Sequence, residues 1–179
     1  VGQNKVILEK AASTPIEGSA ADLKIMLAGV SSYTGALIAT DAEVSAADLN
    51  TIAKGTTGKV TATLNVATPL TKATVDALAD VKATDVITFV PTAITADAAI
   101  LVAINKIISN ENFTAVATIT AAAADVALVK EALTYDLAAT PAVTITGAIS
   151  VVDAAAIASV ADRGVLTATI ADGTVAATL

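Results

Sequence analysis

Two hydrophobic periods alternate along the chain. A stretch of small residues carrying one Asp opens into an apolar run of helical period. A turn follows, and then a short segment in which apolar and polar residues alternate as in a strand. The helix openings read Ser19-Ala-Ala-Asp22-Leu, Ser45-Ala-Ala-Asp48-Leu, Ala73-Thr-Val-Asp76-Ala, Thr95-Ala-Asp97-Ala, Ala122-Ala-Ala-Asp125-Val and Ser150-Val-Val-Asp153-Ala. Their Asp residues are spaced by 26, 28, 21, 28 and 28 positions, which marks an internal repeat. Strands are expected at Ala36–Thr40, Lys59–Leu64, Asp85–Val90, Thr114–Thr120, Ala142–Thr146 and Val165–Ala171, with Lys5–Glu9 as a seventh. Leu37, Val60, Ile87, Ala115, Val143 and Leu166 are the expected equivalent inward positions.

Local chemistry agrees with this division. Ser-x-x-Asp at 19/22, 45/48 and 150/153 suits an N-cap followed by an acidic N3 residue. Lys54, Lys82, Lys106, Lys130 and Arg163 fall near the expected helix ends, where cations complement the helix dipole. Turns are expected at Lys54-Gly55-Thr-Thr-Gly58, Asn110-Glu-Asn112, Asp162-Arg-Gly164 and Asp172-Gly173. One helix and one strand per unit implies parallel strands joined by right-handed helical crossovers. The fold class expected is therefore α/β: a solenoid of about six or seven strand–helix repeats, with a parallel β-sheet on one side and helices on the other. Its divisions are an N-terminal strand or cap over 1–18, repeats over 19–172, and a truncated repeat or tail over 173–179.

Ser-Ala-Ala-Asp-Leu followed by Asn50-Thr-Ile and a short Thr-rich strand resembles the helix–strand repeats of very large surface proteins of marine bacteria, cyanobacteria especially, and of structural proteins of their phages. The resemblance covers about residues 19–172 and is leucine-rich-repeat-like in period. The Leu-x-x-Leu-x-Leu-x-x-Asn pattern of leucine-rich repeats proper is missing. What the resemblance implies is surface, adhesive or virion-structural duty, outside the cell or on a virion, with no catalytic residue to carry over.

Composition removes much alternative chemistry. The 179 residues include 43 Ala and 26 Thr but no Cys, His or Trp, so no Cys- or His-based triad, zinc, haem or iron–sulfur site can be assembled from them. A formal charge of −7 with ten scattered basic residues argues against nucleic-acid binding. The longest apolar stretches, such as Ala98 to Ile104, fall well short of the roughly 20 residues that span a bilayer, so no membrane insertion is expected. The start at Val1 rather than Met reads as a processed product or a piece of a longer chain.

Candidate sites are few. The Asp series suits helix capping better than calcium, because one carboxylate per coil lacks the companion ligands calcium needs. Lys54 to Lys59 lacks the spacing of a phosphate loop and reads as a turn. No catalytic, metal or cofactor-binding residue is assigned, and no enzyme is expected. The candidate binding face consists of Thr-x-Thr pairs, Thr61 with Thr63, Thr118 with Thr120, Thr144 with Thr146, and Thr167 with Thr169. Alternation sends each pair outward, away from Ala62, Ile119, Ile145 and Ala168. Such a face suits a repetitive ligand, glycan or ice, or is a plain solvated surface of good strand formers. The segment from Ile38 to Thr40 and the segment from Val86 to Val90 interrupt it. The preferred expectation is a non-catalytic structural or adhesive module that self-assembles through its solenoid ends. Its partners would be copies of itself or adjoining repeats, with a glycan or other surface ligand as the alternative.

Overall fold

The structure, a computed structural model, describes residues 14–30, 33–66, 69–90, 93–108, 113, 115–137, 140–160 and 163–171. The expected strand Lys5–Glu9, the turns at 110–112 and 172–173, and the tail 173–179 lie outside them, as do Thr114 and Asp162. The described residues form an α/β structure with two four-stranded parallel sheets. The first sheet contains β1 (Ile16–Gly18), β2 (Leu37–Ala39), β3 (Val60–Asn65) and β4 (Val86–Val90). The second contains β5 (Ile94–Asp97), β6 (Val116–Ala122), β7 (Ala142–Ile149) and β8 (Leu166–Ile170).

Spatial order equals chain order within each sheet. Helices α1 (Ala20–Ala28), α2 (Ala46–Lys54) and α3 (Lys72–Asp76) connect successive strands of the first sheet. Helices α4 (Ala98–Ile107), α5 (Val126–Ala132) and α6 (Val151–Ala158) do so in the second. Parallel neighbours need such crossovers, and the alternating pattern supplies one per strand. The chain divides into two compact units: Val1–Ala67, Lys72–Pro91 and Ile104–Glu111 in one, Thr68–Thr71, Thr92–Ala103 and Asn112–Leu179 in the other.

The expectation of one continuous sheet is corrected here, and the reason is local. Only three residues, Pro91 to Ala93, separate β4 from β5. Three residues cannot carry a chain back to start a parallel neighbour, so β5 opens a second sheet instead. Ala93 takes a positive φ of 65°, a conformation costly for a side-chain-bearing residue. The shortest Asp spacing, 21 residues, has another cause: α3 and α4 begin 26 residues apart, at Lys72 and Ala98, but Asp76 ends its helix instead of opening it. Thr95-Ala-Asp97 was expected to open a helix, but it lies in β5, and the helix begins at Ala98.

Most expected inward residues are core. Leu37, Val60 and Val143 are fully buried, and Ile87 and Ala115 nearly so, whereas Leu166 is half-buried. Their equivalence is corrected by the register. In the first sheet Ile87 faces Ala62, which puts Asp85 opposite Val60. In the second sheet the true row is Ala96, Ile119, Val143 and Leu166, with Ala115 preceding its strand.

Candidate functional site

The Asp series resolves into several distinct roles. Ser19, Ser45 and Ser150 cap α1, α2 and α6, their hydroxyls accepting from the backbone N–H of Asp22, Asp48 and Asp153 at 3.1, 3.1 and 3.0 Å. The same hydroxyls donate to the aspartate carboxylates. Each cap is worth about 1 kcal/mol. Asp97 acts one step earlier than expected, accepting from the Ala99 N–H at 2.9 Å at the start of α4. Two further members depart from the expected helix openings. Asp76 ends α3 and pairs back to Lys72 at 2.6 Å, and Asp125 closes a 3-10 turn without a side-chain cap. Among the described residues, no group of three or more acidic side chains is placed to hold a metal ion.

Two of the capping aspartates also join neighbouring helices. Lys24 of α1 pairs with Asp48 of α2, and Lys130 of α5 pairs with Asp153 of α6 at 3.3 Å. Sequence reading assigned these lysines to no partner, although both spacings, 24 and 23 residues, equal about one repeat. Lys82 crosses between layers too, donating to the Ala53 carbonyl near the end of α2 at 2.8 Å. Its cation therefore serves a neighbouring helix dipole rather than its own segment.

Both stapled aspartates titrate below the ordinary aspartate range. For Asp48 the main cause is the hydrogen bond from Lys24, followed by that from Ser45. For Asp153 the Ser150 hydroxyl comes first and Lys130 second. A folded-state pKa below the unfolded value stabilises the chain fully above the unfolded pKa of about 3.9. That stabilisation disappears as pH falls through the folded values. The double variant Lys24→Met with Lys130→Met should therefore lose less melting temperature than the native chain between about pH 5 and pH 2. Parallel acid limbs in the two melting profiles would refute this assignment.

Three of the Thr pairs point outward, because Ala62, Ile119 and Ile145 between them are buried, whereas Ala168 between Thr167 and Thr169 is itself half-buried. Their lateral alignment differs from a paired ladder. Thr61 lies between Ile38 and Val86 in the first sheet, and Thr63 lies beside Thr88. In the second sheet Thr120, Thr144 and Thr167 form one in-register row. Thr118 faces Thr95 and Ala142, Thr146 faces Ala122, and Thr169 faces Ala148. The offset on β8 arises at an irregularity between Thr144 and Ala148 that contains Gly147 at a φ of +97°. Extra residues in β7 push its later side chains out of step with β8. Thr144, Thr146, Thr167 and Thr169 are exposed, and Thr61, Thr63, Thr118 and Thr120 are half-buried.

The segment from Lys54 to Thr57 borders an open pocket of about 280 Å³, lined also by Leu27, Val30, Tyr33 and Thr34. The N–H groups from Gly55 to Gly58 are engaged. Gly55 donates to Thr51 and Ile52, Thr57 to the Tyr33 carbonyl at 3.1 Å, and Gly58 to the Thr56 hydroxyl at 2.9 Å. With these N–H groups used internally, the segment offers no phosphate cradle. Buried Tyr33 lies against Gly35, and desolvation pushes its phenol pKa up. No described helix is long and apolar enough to cross a membrane. Comparison of the chain with protein-family models, with curated proteins and with solved structures found no match.

Proposed function

We propose that this chain is a non-catalytic structural or adhesive repeat module of an extracellular surface protein or a virion, built as an α/β solenoid of strand–helix repeats. The observation that carries this reading is the use made of polar side chains between layers. Ser-x-x-Asp caps recur at 19/22, 45/48 and 150/153, and Lys–Asp staples join α1 to α2 and α5 to α6. Charged groups that would furnish chemistry in an enzyme are here spent on holding one layer to the next. Sequential parallel strands with a helix in every connection suit a rigid body extended by repetition. The resemblance of its helix openings to repeats of marine bacterial surface proteins and phage structural proteins supports the same role.

Immunogold labelling of source cells and of any particles they release is the direct test. Label on a surface layer or on virions is the expected result. Label confined to the cell interior would overturn the reading.

The in-register row Thr120, Thr144 and Thr167 favours a second reading, a binding face for a repetitive ligand such as glycan or ice. Rows on adjacent strands lie about 4.8 Å apart, a spacing a periodic ligand can match. The double variant Thr144→Lys with Thr167→Lys should abolish glycan-array binding or thermal hysteresis while leaving the melting temperature within a few degrees. A native chain inactive in both assays would discard the second reading.

A further inference from the structure

The pocket beside the turn after α2 is lined by polar groups that the chain itself does not use. Lys54 is exposed at the end of α2, and its ammonium has no hydrogen-bond or ion-pair partner among the described residues. A lysine at that position ordinarily complements its own helix dipole. Lys82 has taken the place, donating to the Ala53 carbonyl at 2.8 Å, and the Gly55 N–H serves the carbonyls of Thr51 and Ile52. Lys54 is therefore a surplus cation in a chain of net charge −7.

Tyr33 is the second unused group. It is 4% exposed, and its buried phenol oxygen has no hydrogen-bond partner among the described residues. Gly35 makes room for the ring tip, since a Cβ at position 35 would collide with the phenol oxygen. A buried hydroxyl left unpaired is costly, and its missing partner has to come from outside the chain.

The rest of the lining narrows the ligand. Leu27 and Val30 contribute apolar surface, and exposed Thr34 and Thr57 contribute hydroxyls without a partner among the described residues. The Thr56 hydroxyl is already used, donating to the Gly35 carbonyl at 2.8 Å and accepting from Gly58. None of the described lining residues is acidic, so the ammonium of an amino acid would find no counter-charge. A phosphate would find one cation and no free N–H between Gly55 and Gly58. A fatty acid would outrun two apolar side chains. A volume of about 280 Å³ lies at the small end of ligand sites and suits a single sugar ring. One carboxylate, several hydroxyls and a face of C–H groups are together the features of a uronic acid.

We propose that this pocket binds a uronic acid unit of an acidic glycan. Lys54 pairs with the carboxylate, the Tyr33 phenol donates to a sugar oxygen, and Thr34 and Thr57 meet sugar hydroxyls. The C–H face lies against Leu27 and Val30, and the open mouth lets the sugar belong to a longer chain. The site shares no residue with the row Thr120, Thr144 and Thr167. It gives the adhesive reading a ligand and rests on that reading.

The test is calorimetric titration of the full chain with sodium glucuronate and sodium galacturonate, with glucose and inorganic phosphate alongside. At least one uronate should bind at millimolar concentration, with glucose and phosphate weaker by about tenfold or more. Lys54→Met should weaken uronate binding by about tenfold. Tyr33→Phe should weaken it severalfold without lowering the melting temperature of the free chain, because it deletes an unpaired hydroxyl. A purely structural tyrosine would show the reverse, a lower melting temperature and unchanged binding. Thr144→Lys, on the outer sheet face, should bind as the native chain does. No uronate binding at tens of millimolar overturns the proposal, as does binding that Lys54→Met or Tyr33→Phe leaves untouched. Phosphate bound as tightly as uronate reduces the pocket to a bare cation and overturns the sugar. Surface label on cells without uronate binding defeats this inference alone, whereas uronate binding combined with intracellular label defeats the surface role.

Discussion

Replacing Asp85 by Ala should lower unfolding free energy by about 2–4 kcal/mol, among the largest losses available to one substitution in this chain. Asp85 is fully buried. One carboxylate oxygen accepts from the Val60 N–H at 2.7 Å, and the other from the Lys82 N–H at 2.9 Å. The first bond fixes the start of β3 across a separation of 25 residues. The second closes the turn in front of β4. Alanine would leave the buried Val60 N–H and the half-buried Lys82 N–H without an acceptor, and a buried orphan costs about 1–3 kcal/mol. Asp85→Asn keeps one acceptor oxygen, so its loss should be roughly half as large. For a chain of this size, 1 kcal/mol corresponds to about 2–4 °C of melting temperature, so thermal denaturation of the two variants reads the difference directly. Equal, small shifts for both would show that the carboxylate is dispensable.

Gly58→Ala should be comparably damaging through packing alone. A Cβ at position 58 would stand 2.2 Å from the Gly35 carbonyl oxygen and 2.7 Å from that of Thr34. Both obstacles are backbone, so relief requires moving the turn at Gly58 away from the segment at Thr34 and Gly35. Such overpacking costs about 1–3 kcal/mol and occasionally more. Gly29→Ala is the matched control, because its added carbon would meet only the Met26 carbonyl at 3.5 Å. That variant should change stability little or raise it by up to about 1 kcal/mol through a less flexible unfolded chain. Chemical denaturation of the pair gives the comparison, and a Gly58→Ala midpoint matching that of Gly29→Ala would remove the close-approach argument.

The parts of the fold legible in the sequence are those governed by local rules. Ser19, Ser45 and Ser150 were readable as caps because the donor and acceptor lie three residues apart. The alternation in Val60–Asn65 and Ala142–Ile149 announced strands for the same reason. What escaped depends on distant partners. Nothing near Asp85 says that its acceptors will meet Val60 a whole layer away. The Thr pairs were read with no stagger, yet register is set by the irregularity around Gly147 and by pairing geometry, which alternation alone does not encode. Thr95-Ala-Asp97 misled because Asp before small apolar residues serves equally as a helix opening or as a strand's last residue. The split into two sheets was encoded in the three-residue interval from Pro91 to Ala93, and only counting residues against the crossover requirement would have exposed it.

The Lys24–Asp48 staple has a consequence for how such a chain can grow. The segment from Ser19 to Val44 carries both halves of the joint: an N3 acid at Asp22, and a lysine two positions later that reaches the N3 acid of the following helix. If that segment were copied in tandem, the duplicate's Asp22 would arrive where Asp48 now receives Lys24. The new seam would come with its own ion pair and its own capping serine, with no compensating substitution needed elsewhere. Unequal recombination can therefore lengthen or shorten the coding sequence by one segment at a time, and length becomes the trait on which selection acts most freely.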